Sequence, residues 1–145
     1  MIVLDTNVLS EFMRPVPDPK VRQWLDAQRR VDVWTSAIAI AELAAGVAAL
    51  PQGRRRLLLQ DALDLMLEGF ERRVLPFGVG AAIEYGRVVV ERTRIGRPIS
   101  VADAQIAAIS AVAGATLATR NARDLEGLGV ALVDPWSATT DDGRR

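Results

Sequence analysis

Met1-Ile2-Val3-Leu4-Asp5-Thr6-Asn7 opens the chain, and three apolar residues run straight into an acid. A short apolar run of this kind fits a strand buried on both faces of a parallel sheet. The acid then falls where the strand ends, and open α/β sheets bind ligands outside the carboxyl ends of their strands. Asp5 therefore has two readings. It stands where an α/β protein does its chemistry, or one of Asp5, Thr6 and Asn7 simply caps the helix that follows.

Working outward, strand and helix signals alternate. Asn7 to Met13 reads as a short helix stopped by Pro15 and Pro17. Asp18 and Pro19 start a second helix, with Val21, Trp24 and Leu25 as its apolar stripe. Val31 to Thr35 reads as a strand, Ser36 as an N-cap and Ala37 to Leu50 as a helix. Gly53 to Phe70 is a long helix with a stripe through Leu58, Leu59, Ala62, Leu65 and Met66. Val74 to Phe77 is a strand, Gly80 to Thr93 a helix with Ile83, Val88 and Val90 as buried candidates, and Ser100 opens a helix to about Ala113. Thr116 to Thr119 and Val130 to Val133 are the last strands, with a helical turn over Asn121 to Leu125 between them. This alternation predicts a single α/β domain over residues 1–136, a five-stranded parallel sheet flanked by helices on both faces. Residues 137–145 are polar and read as a disordered tail.

Composition narrows the chemistry. The 145 residues are half hydrophobic and a quarter charged, with no net charge. There is no cysteine and no histidine, so disulfides, thiolate and imidazole ligands and the usual general base are all excluded. Catalysis must rest on carboxylates, hydroxyls, lysine or arginine, and a metal must be hard and oxygen-bound. Lys20 is the only lysine, and every other cation is an arginine, the better fork for phosphate; a coding bias accounts for that equally well. No basic region precedes the first apolar residues, and the longest uncharged stretch, Ala104 to Thr119, is shorter than the ~20 residues of a membrane span. A soluble, cytoplasmic protein is expected.

Several acids look out of place. Glu42 lies in Ala37-Ile38-Ala39-Ile40-Ala41-Glu42-Leu43-Ala44-Ala45-Gly46, where every neighbour is apolar or small. That context puts it at a pocket edge, or buried and paired. Asp103, in Ser100-Val101-Ala102-Asp103, fits a capping box or a dipole-favoured first turn. Asn121 and Asp124 follow the fourth strand as a cap and its partner would. In a parallel sheet all these points share one edge. Carboxylates gathered there repel one another unless a divalent cation joins them, and oxygen-only ligands select Mg²⁺ or Mn²⁺. Such a site suits hydrolysis of phosphodiesters by metal-activated water.

Four blocks resemble those of PIN-domain proteins: Ile2-Val3-Leu4-Asp5-Thr6-Asn7, Ala41-Glu42-Leu43-Ala44-Ala45-Gly46-Val47, Ser100-Val101-Ala102-Asp103-Ala104-Gln105-Ile106-Ala107-Ala108 and Ala118-Thr119-Arg120-Asn121. The likeness runs to VapC-type toxins and their FitB-like branch, whose chains also end near a motif like Asp134-Pro135-Trp136. The resemblance implies a Mg²⁺- or Mn²⁺-dependent endoribonuclease, the toxin of a type II toxin–antitoxin module. It also implies a homodimer, held in check and drawn into higher assembly by a small DNA-binding antitoxin of the VapB/FitA kind. Asp5, Glu42 and Asp103 match the acidic trio of catalytic and metal-binding residues. Thr6 and Asn7 match residues that support the first acid, and Thr119 matches a hydroxyl near the site. Many relatives carry a fourth acid where this chain has Asn121, which can offer a carbonyl but no charge; Asp124 could stand in from one turn away. Two other readings stay open: a non-catalytic RNA- or partner-binding module with an impaired metal site, and a phosphatase with Asp5 as nucleophile. Against the latter, position 7 is asparagine where an acid is usual. Arg54, Arg55, Arg56, Arg92, Arg94 and Arg97 are candidate phosphate contacts or simply solvated cations.

Overall fold

The computed structural model describes residues 1–138. Its elements run β1 (Ile2–Leu4), α1 (Thr6–Phe12), α2 (Pro19–Asp26), β2 (Val33–Ser36), α3 (Ala37–Ala48), α4 (Arg54–Phe70), β3 (Val74–Leu75), α5 (Val79–Arg94), α6 (Val101–Val112), β4 (Thr116–Ala118) and β5 (Ala131–Val133). Single 3-10 turns cover Arg30–Asp32 and Ala122–Leu125. The five strands form one parallel sheet in the order β3-β2-β1-β4-β5.

That order decides where a site can lie. From β1 the chain moves outward through β2 to β3, then crosses back to place β4 on the other side of β1. Right-handed crossovers then put the helices of the two halves on opposite faces. Beyond the carboxyl ends of β1 and β4, the two halves part and leave a crevice. Leu4 pairs with Thr35 on one side and Ala118 on the other, so Asp5 and Thr119 emerge side by side at that edge. The Asp5 amide holds the Ala118 carbonyl at 3.0 Å, and the Thr119 amide holds that of Val133 at 2.9 Å.

The core explains the short apolar strands. Val3, Leu4, Leu117 and Ala118 are fully buried, and Val8, Leu9, Val88 and Ile106 close over them from the helices. A smaller cluster of Met13, Val47 and Leu63 binds α1, α3 and α4 together. Side-chain caps set several helix starts: Asp18 to the Lys20 amide, Ser36 to Ala39 and Ser100 to Asp103. Gly114, at φ 61°, ends α6 in the left-handed conformation that glycine adopts without steric cost, and turns the chain into β4.

Helix stripes read from spacing alone are corrected in two places. In α4, Leu59, Ala62 and Met66 of the expected stripe pack against the core beside the buried Leu63 and Phe70, but Leu58 and Leu65 are exposed. In α5, Val88 is buried but Ile83 and Val90 are exposed. Both helices carry more apolar positions than one face can cover, so spacing alone could not choose the face. Ser137 and Ala138, assigned to the tail by the sequence, fold back so that both amides bond the Asp134 carbonyl, at 3.1 and 2.8 Å. Residues 139–145 of that tail lie outside the described residues. Among the described residues no helix is long and apolar enough to cross a membrane.

Candidate active site

Asp5 is the N-cap of α1. Its Oδ1 accepts from the Val8 amide at 3.0 Å, and helix α1 starts at Thr6. Of the three candidate caps, Asp5 is the one used, and Thr6 and Asn7 are not. The strand ends where the helix must begin, so the one acid serves both positions. The residue is 7% exposed, and its carboxyl pKa is pushed up to about 6 from the usual 3.8. Burial is the main cause; the nearby Asp103 charge adds to it, while hydrogen bonding from the Thr119 hydroxyl and the Val8 and Asn7 amides works the other way.

Asp103 lies in the first turn of α6, where its amide donates to Ser100 Oγ at 3.1 Å. The cap expected from the sequence is therefore made by Ser100, which leaves the Asp103 carboxylate clear of that duty. Thr119 is almost wholly buried, and its Oγ1 accepts from the Asn121 amide at 3.1 Å. The same hydroxyl thus organises the loop after β4 and faces Asp5.

Of the two places its context allowed, Glu42 takes the pocket edge and not the buried one. Its side chain is exposed, as are Ala41, Ala44 and Ala45 beside it, so α3 turns a small apolar surface outward. Glu42 Oε1 accepts from Thr6 Oγ1 at 2.6 Å, which ties it to the residue after Asp5. Its apolar neighbours in sequence do not bury it, because alanines on an outer helix face need no cover.

Asn121 precedes the 3-10 turn but makes no side-chain cap bond there; the Asp124 amide bonds its carbonyl at 3.0 Å. Asp103, Asn121 and Asp124 line one cleft of about 660 Å³ together with Arg92, Arg97 and Arg123. Glu42 lines a separate, smaller cleft with Ser10, Arg14 and Arg55. Arg54 and Arg55 also line a groove between α1 and α4, away from Asp103. The structure therefore brings the acids together in parts: Asp5 with Asp103 through charge, and Glu42 with Thr6 through a hydrogen bond. Among the described residues no three acidic side chains stand close enough to enclose a metal as they are oriented. The donors nevertheless fit a hard divalent cation in kind, being carboxylate, amide and hydroxyl oxygens only. A buried carboxyl raised by its own burial and by a second acid is also where added positive charge is most favourable.

The PIN domain family model matches residues 2–128. The chain belongs to the PIN-domain family. It is 40% identical over 137 residues to VapC ribonuclease Y4jK of Sinorhizobium fredii, covering 94% of this chain and 98% of that one. To Toxin FitB of Neisseria gonorrhoeae it is 39% identical, over 94% of this chain and 99% of the other. A solved structure of FitAB bound to the IR36 DNA fragment superposes with a TM-score of 0.88 at 37% identity, over 97% of this chain and 99% of that one. In this PIN domain the sequence named Arg92 among its candidate phosphate contacts but missed its burial. Arg92, grouped by the sequence with the exposed Arg94 and Arg97, is 3% exposed and reaches the acid-lined cleft. Its position on the same face of α5 as the buried Val88, four residues earlier, was the available signal.

Proposed function

We propose that this chain is the toxin of a type II toxin–antitoxin module and acts as a Mg²⁺- or Mn²⁺-dependent endoribonuclease. The observation that carries the reading is the Asp5 carboxyl, buried at the sheet's switch point with the Asp103 charge beside it. The similarity to a VapC ribonuclease and to a FitB toxin supports the activity and the module.

Asp5, Glu42 and Asp103 would hold the cation, with Asn121 or Asp124 as a further oxygen donor. When bound, the cation would lower the pKa of a water and offset charge on the phosphodiester. The chain's own residues do the rest. The α1 amides fix the Asp5 carboxylate at the strand end, and the Thr119 hydroxyl favours its charged form. Thr6 holds the Glu42 carboxylate by its 2.6 Å bond. Asp5→Asn, with Mn²⁺ and a mixed RNA substrate, is the direct test: cleavage should vanish while the fold persists. Full cleavage by that variant, or by the wild type in EDTA, would reject the reading.

A non-catalytic binding module is the second reading. It is favoured by the neutral Asn121 at the fourth position and by the open arrangement of the acids. Calorimetry with Mn²⁺ separates the two, since the module predicts no heat at millimolar metal and no change on Glu42→Gln.

The partners proposed are a small DNA-binding antitoxin of the VapB/FitA kind and a second copy of the chain. The FitAB–DNA structure supports the first. Exposed apolar side chains supply surface for both: Leu57, Leu58 and Leu65 on α4, and Val79, Ile83 and Val90 on α5. Pull-down of the tagged chain from its native host should yield a small partner, and light scattering should give twice the chain mass.

A further inference from the structure

Arg92 is a cation in an unusual position. It is buried to all but 3% of its surface, yet among the described residues it forms no ion pair. Its Nε donates to the Arg97 carbonyl at 2.7 Å, and the Arg97 amide returns a 2.9 Å bond to the Arg92 carbonyl. Those bonds clamp the turn that leads from α5 to α6. They use one guanidinium nitrogen. Among the described residues Nη1 and Nη2 have no protein partner, and Arg92 lines a cleft. The cleft is the one lined by Asp103, Asn121 and Asp124. A buried guanidinium without a counter-ion is costly, and its planar pair of free donors matches two oxygens of a phosphate.

We infer that Arg92 is a substrate-binding residue that receives a backbone phosphate of the RNA strand beside Asp103. Ser100 and the amino end of α6 line the same cleft, where the helix dipole favours an anion. Arg97 and Arg123 at the rim, both exposed, add attraction of the kind that steers a strand inward. The inference rests on the ribonuclease reading for the identity of the strand, but its test does not need cleavage.

The test is binding of a fluorescein-labelled single-stranded oligoribonucleotide in EDTA, across a range of salt. Arg92→Gln should bind about ten- to a hundred-fold more weakly. Its slope of log affinity against log salt should fall by about 0.7, the value of one single-strand phosphate contact. Arg92→Lys should keep the slope and lose part of the affinity. With Mn²⁺ present, KM should rise with kcat little changed. A folded Arg92→Gln with wild-type affinity and slope would overturn the inference. So would a fall in kcat alone, which marks Arg92 as only a clamp of the turn. Binding of inorganic phosphate or an acidic peptide, but not of RNA, would also overturn it. Should Arg92→Gln fail to fold, NMR of the wild type decides: the Arg92 Nη signals, correlated through bonds to the backbone, must shift when the oligoribonucleotide binds. If the wild type binds RNA through Arg92 but never cleaves it with Mn²⁺, the ribonuclease reading fails and this one stands.

Discussion

Asp5 and Glu42 sit one hydrogen bond apart on the same edge of the sheet, joined through Thr6, and they live in opposite environments. Asp5 is buried, caps a helix and has its pKa pushed up to about 6. Glu42 is exposed, and its neighbours in sequence, all apolar or small, do not enclose it. Sequence context leaves the opposite burial open: an ordinary cap at Asp5, which it also is, and a buried acid as one of two readings at Glu42. The difference teaches that a carboxylate's environment is set by where its element meets others, not by the residues beside it in the chain. Asp5 ends a central strand, so sheet and helices surround it. Glu42 stands on an outer face of α3, whose exposed alanines give it no cover.

Four predictions test that contrast, the largest effect first. Asp5→Asn keeps a good cap residue and removes the charge. Cleavage should be abolished, a fall of more than about a hundred-fold. The metal-free variant at pH 7 should also gain up to about 3 kcal/mol in urea unfolding, since each tenfold change in proton affinity is worth about 1.4 kcal/mol. A destabilised variant would mean that Asp5 is held mainly by favourable contacts and that burial is not the dominant influence. The second prediction is the pH dependence. Asp5 has a folded pKa of about 6, above its usual 3.8, so its protonated form favours the fold. That contribution is complete below about pH 4 and is lost as pH rises through 6. Metal-free wild type should therefore lose stability over that window relative to Asp5→Asn, and saturating Mn²⁺ should remove the loss. Third, Asp103→Asn should lower the midpoint of that transition by removing a neighbouring negative charge, though less than full exposure of Asp5 would, because burial is the larger cause. Carbon-13 NMR of the Asp5 carboxyl would read it directly. Smallest in its effect on stability, Glu42→Gln should change it by less than about 0.5 kcal/mol, as exposed sites do, while abolishing cleavage. A large loss of stability there would break the contrast.

Much of the fold was legible because local signals agreed. Proline and serine or aspartate caps marked helix starts, Gly114 marked a stop, and short β-branched runs marked strands. The helix faces were less legible. Leu58, Leu65, Ile83 and Val90 fit an apolar stripe as well as their buried neighbours do, and only packing chose between them. Of the candidate site, the residue types and their edge of the sheet could be read. Orientation could not: Asp124 and Asn121 share the Asp103 cleft, whereas Glu42 opens on another.

By itself, the sequence determined the alternation of strands and helices, the restriction to oxygen donors, and the coincidence of Asp5 with a strand end. These follow from local periodicity and from which side chains are present at all. Only the tertiary structure decided the strand order that opens the crevice between β1 and β4, the burial that raises Asp5, and the enclosure of Arg92 without a counter-ion among the described residues. Those depend on which distant segments meet, and dielectric, charge and packing act through space along paths that the order of residues does not record. The opening stretch shows both at once, since Ile2-Val3-Leu4 had to be a strand, but only its place at the centre of the sheet made the next residue a buried acid.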